Sequence, residues 1–146
     1  MKLLVIALLS SFTFGLTTWL TDFEAAKKNA QEKHQLILLN FSGSDWCGPC
    51  IRLHKEIFDS NQFEAYADGN LVLVNADFPR LKKNQLNKEQ TKQNEALADK
   101  YNPNGIFPYT LLLDASGKVL KTWEGYPKQG IMEFTASINE FIHAGK

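Results

Sequence analysis

Two runs, Leu36-Ile37-Leu38-Leu39-Asn40-Phe41 and Leu71-Val72-Leu73-Val74-Asn75-Ala76, are apolar almost throughout and show no alternation with polar residues. That pattern is expected of strands covered on both faces. Ile106 to Leu113 and Lys118 to Trp123 flank Asp114-Ala115-Ser116-Gly117, so they predict a β-hairpin closed by a turn with glycine at its last position. Helical spacing covers the remainder. Trp19 to Gln35 predicts a first helix with Phe23, Ala26 and Ala30 on one face, and Thr21 with Glu24 fits a capping box at its start. Trp19 itself is a candidate for a short edge strand. Ile51 to Phe58 and Asn61 to Ala67 read as two short helices, the second capped by Ser60. A further helix ends near Tyr101, stopped by Asn102-Pro103-Asn104-Gly105. Gly130 to His143 closes the chain with Ile131, Phe134, Ile138 and Phe141 along one side. Trp123 and Phe134 belong to the core. Phe78 to Gln90, with Pro79 and many Lys, Asn and Gln residues, predicts an exposed excursion, read as a solvated connection in preference to a docking surface. The order helix, strand, helix, strand, helix, hairpin, helix implies an α/β fold: a central mixed β-sheet flanked by helices on both faces.

Composition narrows the chemistry mainly by exclusion. A length of 146 residues suits one domain with a real core. Lys and Arg number 16 and Asp and Glu 16, so no basic surface argues for nucleic acid. The first residues look like a targeting segment: Lys2 is a minimal positive region, Leu3 to Leu9 is an unbroken apolar core, and Ser10 to Gly15 turns small and polar. This predicts a signal peptide over residues 1–15 and a folded domain over 16–146. Thr13-Phe14-Gly15 is a weak cleavage site, lacking the usual alanines. The apolar run is shorter than the roughly 20 residues that span a bilayer, which disfavours an uncleaved anchor. The expected location is therefore periplasmic or secreted, where disulfides persist.

The chain has only two cysteines, and both lie in Asp45-Trp46-Cys47-Gly48-Pro49-Cys50, between the first apolar run and the helix that follows. Two are too few for a disulfide scaffold, a four-cysteine zinc site or an iron–sulfur cluster. A c-type haem needs histidine directly after the second cysteine, and that position is Ile51. Two thiols at this spacing, at a strand-to-helix junction, can open and close a disulfide with little backbone movement. The first sits where backbone N–H groups and the helix dipole favour a thiolate. Gly48 and Pro49 let the turn start the helix, since proline is tolerated in a first turn. A purely structural disulfide is disfavoured, because so small a loop removes little entropy from the unfolded chain. The pair is read as a redox couple that needs no other cofactor and no metal.

Trp46-Cys47-Gly48-Pro49-Cys50, with Pro108 after Gly105-Ile106-Phe107 and with Gly117 and Gly125 bracketing the last strand, resembles the thioredoxin superfamily. The resemblance runs from about Trp19 to Ile142. Phe41 to Cys47 is similar to small secreted members, and Phe58 to Phe63 with Leu71 to Asp77 to the C-terminal domain of transmembrane thiol:disulfide interchange proteins. It implies a thioredoxin-like fold, a cis bond before Pro108, and a Phe107 backbone that pairs with an extended substrate segment. Cys47 becomes the expected nucleophile at an exposed helix N-terminus, Cys50 the resolving thiol, and Trp46 a shield at the rim. Gly-Pro between the cysteines resembles the reducing members. The implied activity is that of an exported thiol–disulfide oxidoreductase reducing protein disulfides, supplied with electrons by a membrane interchange protein.

The chain departs from thioredoxin in two places. Asn40 stands on the strand where thioredoxin buries an aspartate, with one extra residue before the motif, and Lys55 replaces the proline that kinks the active-site helix. Asp45 could raise the Cys47 pKa by like charge or simply be solvated. His54, one helical turn beyond Cys50, could tune that thiol if it shares its face. Two other classes of function compete: a copper-handling protein using Cys47, Cys50 and His54, and a redox-silent protein-binding module.

Overall fold

The computed structural model describes residues 18–144, so the signal segment read over 1–15 lies outside the described residues. The apolar runs form β1 (Leu36–Ser42) and β2 (Leu71–Asp77), the hairpin forms β3 (Tyr109–Leu113) and β4 (Val119–Glu124), and together they make a sheet in the order β2-β1-β3-β4. β1 pairs parallel with β2 and antiparallel with β3, and β3 pairs antiparallel with β4. The sheet is therefore mixed, as the element order implies.

Burial on both faces follows from the pleat, which sends successive side chains to opposite sides. Ile37, Leu39 and Phe41 of β1 meet Phe23, Ala26 and Ala30 of α1 (Phe23–Lys33) and Leu97 and Tyr101 of α4 (Lys88–Tyr101). Leu38 points the other way and packs with Leu53 and Ile57, with Phe63 of α3 (Asn61–Ala67) and with Phe134 and Ile138 of α5 (Gly130–Ala144). β1 is thus the middle of three layers. Phe134 is in the core, and Trp123, half-buried, packs on it with ring centroids 4.8 Å apart.

Several boundaries differ from the sequence reading for local reasons. Helix α1 starts after Asp22, not Thr21: the Asp22 carboxylate accepts from Ala25 N at 3.0 Å, and its charge suits the helix N-terminus. Glu24 pairs instead with Lys27 at 2.8 Å, so no capping box forms. The edge pairing falls to Leu20, whose N–H and carbonyl bond Leu73 and Asn75 beside β2. Strand β3 begins three residues later than Ile106. There the Asn102 side chain takes both the N–H and the carbonyl of Ile106, at 2.9 and 2.8 Å, and Pro108 has no N–H to give the ladder. The Asp114–Gly117 turn forms as read. Gly117 adopts φ 92°, and a Cβ there would lie 2.8 Å from the Tyr101 hydroxyl.

The largest departure is in the active-site helix. It starts at the motif as α2 (Gly48–Leu53) and continues as one π-helical stretch, His54–Phe58, in which Asp59 N–H reaches back five residues to the His54 carbonyl at 2.8 Å. Lys55, where thioredoxin carries its kinking proline, thus lies in a stretch whose hydrogen-bond ladder is widened by one residue.

Asn94 ties α4 to the end of β2. It is 2 % exposed, donates to the Asp77 carbonyl at 2.9 Å and accepts from Gln90 at 2.9 Å. Asn94→Ala strips a part-buried carbonyl of its partner and removes a buried amide, and is expected to cost about 1–3 kcal/mol in urea unfolding, with the unfolding slope unchanged.

Candidate active site

The chain leaves β1 at Ser42, and Gly43-Ser44-Asp45-Trp46 carries it into α2. The Gly43 carbonyl accepts from Trp46 and Cys47 N–H, at 3.2 and 2.9 Å, so the four residues fold into a tight turn. Cys47 caps α2 in extended conformation, with Pro49 in the first turn. Cys47 and Cys50 form a disulfide with Cα atoms 5.2 Å apart, and Cys50 N–H points at the Cys47 sulfur at 3.3 Å. A negative charge developing on Cys47 therefore meets a backbone donor and the positive end of a helical segment running from Gly48 to Phe58. Cys50 is fully buried. Cys47, bonded to Cys50, is itself 5 % exposed, while Gly48 and Pro49 beside it at the helix start are exposed.

Trp46 forms the rim. Its indole N–H donates to the Phe78 carbonyl at 2.7 Å, its ring meets Phe107 edge-on at 5.4 Å, and the Arg80 guanidinium lies 3.7 Å over its face. Gly43 lies under the same ring, because a Cβ there would come within 2.3 Å of the indole. The Phe107–Pro108 bond is cis, and the Pro108 carbonyl accepts from Gly125 N–H at 2.9 Å. The fold thus sets the residue before Pro108 against the residue before Cys47.

Asp45 is partly open to solvent but is not a free charge beside the thiols. It accepts from Arg80 N–H at 2.9 Å, Leu81 N–H at 3.0 Å and Asn84 Nδ2 at 3.0 Å. These bonds, the Arg80 backbone first, hold its carboxyl below the usual aspartate range. Ser44 adds a second clamp, donating its N–H and hydroxyl to Asp77 at 2.9 and 2.5 Å. The segment from Phe78 to Asn87 is therefore more than a solvated connection. Its side chains from Arg80 to Gln85 are exposed, but its backbone is pinned to the motif, with a short 3-10 turn at Lys82–Asn84. Sequence reasoning missed Arg80 and Gly43. An acidic residue just before the motif, with a later basic stretch, was the only available hint.

Asn40 and His54 meet beneath the helix. The Asn40 amide nitrogen lies 3.3 Å from His54 Nε2 and 3.1 Å from Asn75 Oδ1, while its oxygen accepts from the Thr110 hydroxyl at 3.0 Å. Every polar atom of this buried amide is thus used. Ser42 Oγ is buried without a partner. His54 packs between Trp19 and Phe58, with Asp59 3.9 Å from Nδ1. Desolvation holds its pKa below the ordinary value, against the opposing pull of Asp59 and Asp77. No cluster of three His, Cys, Asp or Glu side chains among the described residues could hold a metal ion.

With this geometry described, likeness to known proteins defines the class: a thioredoxin-like domain profile matches residues 23–141, and the chain belongs to that family. It is 37% identical over 99 residues to the disulfide bond reductase DsbH of Chlamydia pneumoniae, covering 68% of this chain and 58% of that protein. The chain thus spans little more than half that relative's length. A solved structure of a DsbH oxidoreductase superposes with TM-score 0.76 at 31% identity, over 86% of this chain and 84% of the other. The oxidised C-terminal domain of Neisseria meningitidis DsbD shares the fold, with TM-score 0.57 and 15% identity over 84% and 98% of the two chains.

Two outcomes test this arrangement. Asp45→Ala removes three anchors of the 78–87 segment, so trypsin is expected to cut after Arg80, Lys82 or Lys83 several-fold faster than in the parent at equal enzyme; unchanged cleavage would show the anchors to be dispensable. Because His54 binds its proton less readily folded than unfolded, stability is fully present above about pH 6.5 and falls as pH drops through its lower folded pKa. His54→Asn is expected to flatten that part of the Tm–pH profile relative to the parent.

Proposed function

We propose that this chain is an exported thiol–disulfide oxidoreductase that reduces protein disulfides. The observation that carries it is the Cys47–Cys50 bond at a helix start, with Cys50 N–H aimed at the Cys47 sulfur. In the reduced protein the Cys47 thiolate attacks one sulfur of a substrate disulfide, forming a mixed disulfide and releasing the other sulfur as a thiolate. Cys50, deprotonated, then attacks Cys47. The Cys47–Cys50 bond closes, and the substrate leaves with two electrons gained and its second thiolate free to take a proton. Gly48 and Pro49 keep this turn short. Trp46 walls the site, and the Phe107 backbone beside Pro108 takes an extended substrate segment by strand addition. Asn40 and His54, under the same helix, tune the buried thiol.

The reducing direction is supported by the Gly-Pro pair and by the name of the DsbH relative. Oxidation of Cys47 and Cys50 leaves no reducing equivalents in the chain, so turnover needs a donor. A membrane interchange protein of the kind whose C-terminal domain shares this fold fits that role. The targeting-like first residues support a periplasmic or secreted location.

The mature protein is expected to reduce insulin disulfides in the presence of a small dithiol. Cys47→Ser should fall to the uncatalysed rate, while Cys50→Ser should accumulate mixed disulfides that survive non-reducing electrophoresis. Full activity of Cys47→Ser would sink the mechanism.

A further inference from the structure

Beside the redox pair stands a cation that the proposed mechanism does not use. Arg80 is exposed, yet its guanidinium is held 3.7 Å over the Trp46 ring, and Trp46 adjoins Cys47. Two contacts anchor the residue: Asp45 takes its backbone N–H, and the indole face holds the plane of the guanidinium, whose N–H donors stay free at its edges. Among the described residues the guanidinium makes no ion pair and no side-chain hydrogen bond. Two carboxylates beside the motif are already engaged, Asp45 by Arg80, Leu81 and Asn84 and Asp77 by Ser44. Lys82 and Lys83 follow on the same pinned segment and are exposed, as is Leu81 at 48 %.

A guanidinium fixed on an aromatic face keeps its fork of donors while losing much of the side-chain freedom that weakens surface ion pairs. The group it matches best is a carboxylate, which can accept two parallel N–H bonds. Cys47 is one residue from the stacked indole, so the guanidinium stands on the order of 10 Å or less from the reacting sulfur, about the reach of a side chain two or three residues from a bound cysteine. We propose that Arg80 is a substrate-binding residue that selects disulfides with an aspartate or glutamate close to the attacked cysteine. Lys82 and Lys83 add a diffuse field of the same sign. This rests on the disulfide-reductase reading and assigns it a substrate preference.

The test uses two synthetic peptide disulfides that differ only in Asp or Asn two residues from the cysteine, and reads the ratio of their kcat/KM values. The parent protein is expected to favour the acidic peptide about two- to fivefold, the range of an exposed but ordered ion pair, with the ratio shrinking as salt rises. Arg80→Gln should bring the ratio close to one, and Arg80→Lys, which keeps charge but loses the planar fork, should fall between. A parent ratio of one, or a preference that survives Arg80→Gln, would overturn the assignment while leaving the reductase reading intact. Failure of the parent protein to reduce either peptide would overturn both.

Discussion

The double-sided burial of β1 is the constraint on which the structure depends. A strand covered by helices on both faces leaves little room for unpaired polar atoms, Ser42 Oγ at its end being the exception among the described residues, and its direction is fixed by a parallel neighbour on one side and an antiparallel one on the other. Its C-terminal end is therefore a rigid platform. The turn from Gly43 to Trp46 starts there, and the cysteines inherit their position from it. Asn40 meets the same requirement differently: it is a buried amide whose oxygen and nitrogen are fully used by Thr110, Asn75 and His54.

Charge near the site is used in two separate ways. Asp45, immediately before Trp46, directs its carboxylate to backbone donors of the following segment and so gives an irregular stretch a fixed path. This leaves Arg80 on the rim with its charge uncompensated while Trp46 holds its plane. His54 is the opposite case, a titratable ring whose pKa is lowered by burial under the helix, with Asp59 and Asp77 pulling the other way. The rim thus presents an exposed cation, and the underside is packed.

Much of the frame was legible because its signals are local. Ser60 caps Asn61–Ala67, Gly117 closes the hairpin, and both apolar runs became strands within a residue of their read limits. The signals that misled were also local, and lost to a competitor nearby. Asp22 displaced Thr21 as a cap because a carboxylate suits a helix start better than a hydroxyl at the wrong register. Ile106 was drawn out of β3 by the Asn102 side chain, a contact between residues only four apart that composition does not signal.

What the sequence determined by itself was the redox pair, the class of fold around it and the strands' burial, since these depend on spacing and hydrophobic period along the chain. Only the tertiary structure decided how the motif is framed. The 78–87 segment is rich in polar residues and mostly exposed, so its sequence reads as solvent-facing connection; its role comes largely from backbone N–H groups, which every residue but proline carries and which leave no mark in side-chain composition. The same holds for Gly43, required by an indole that folds back over it, and for the meeting of Asn40 with His54, which a π-helical turn and a sheet register bring together from fourteen residues apart.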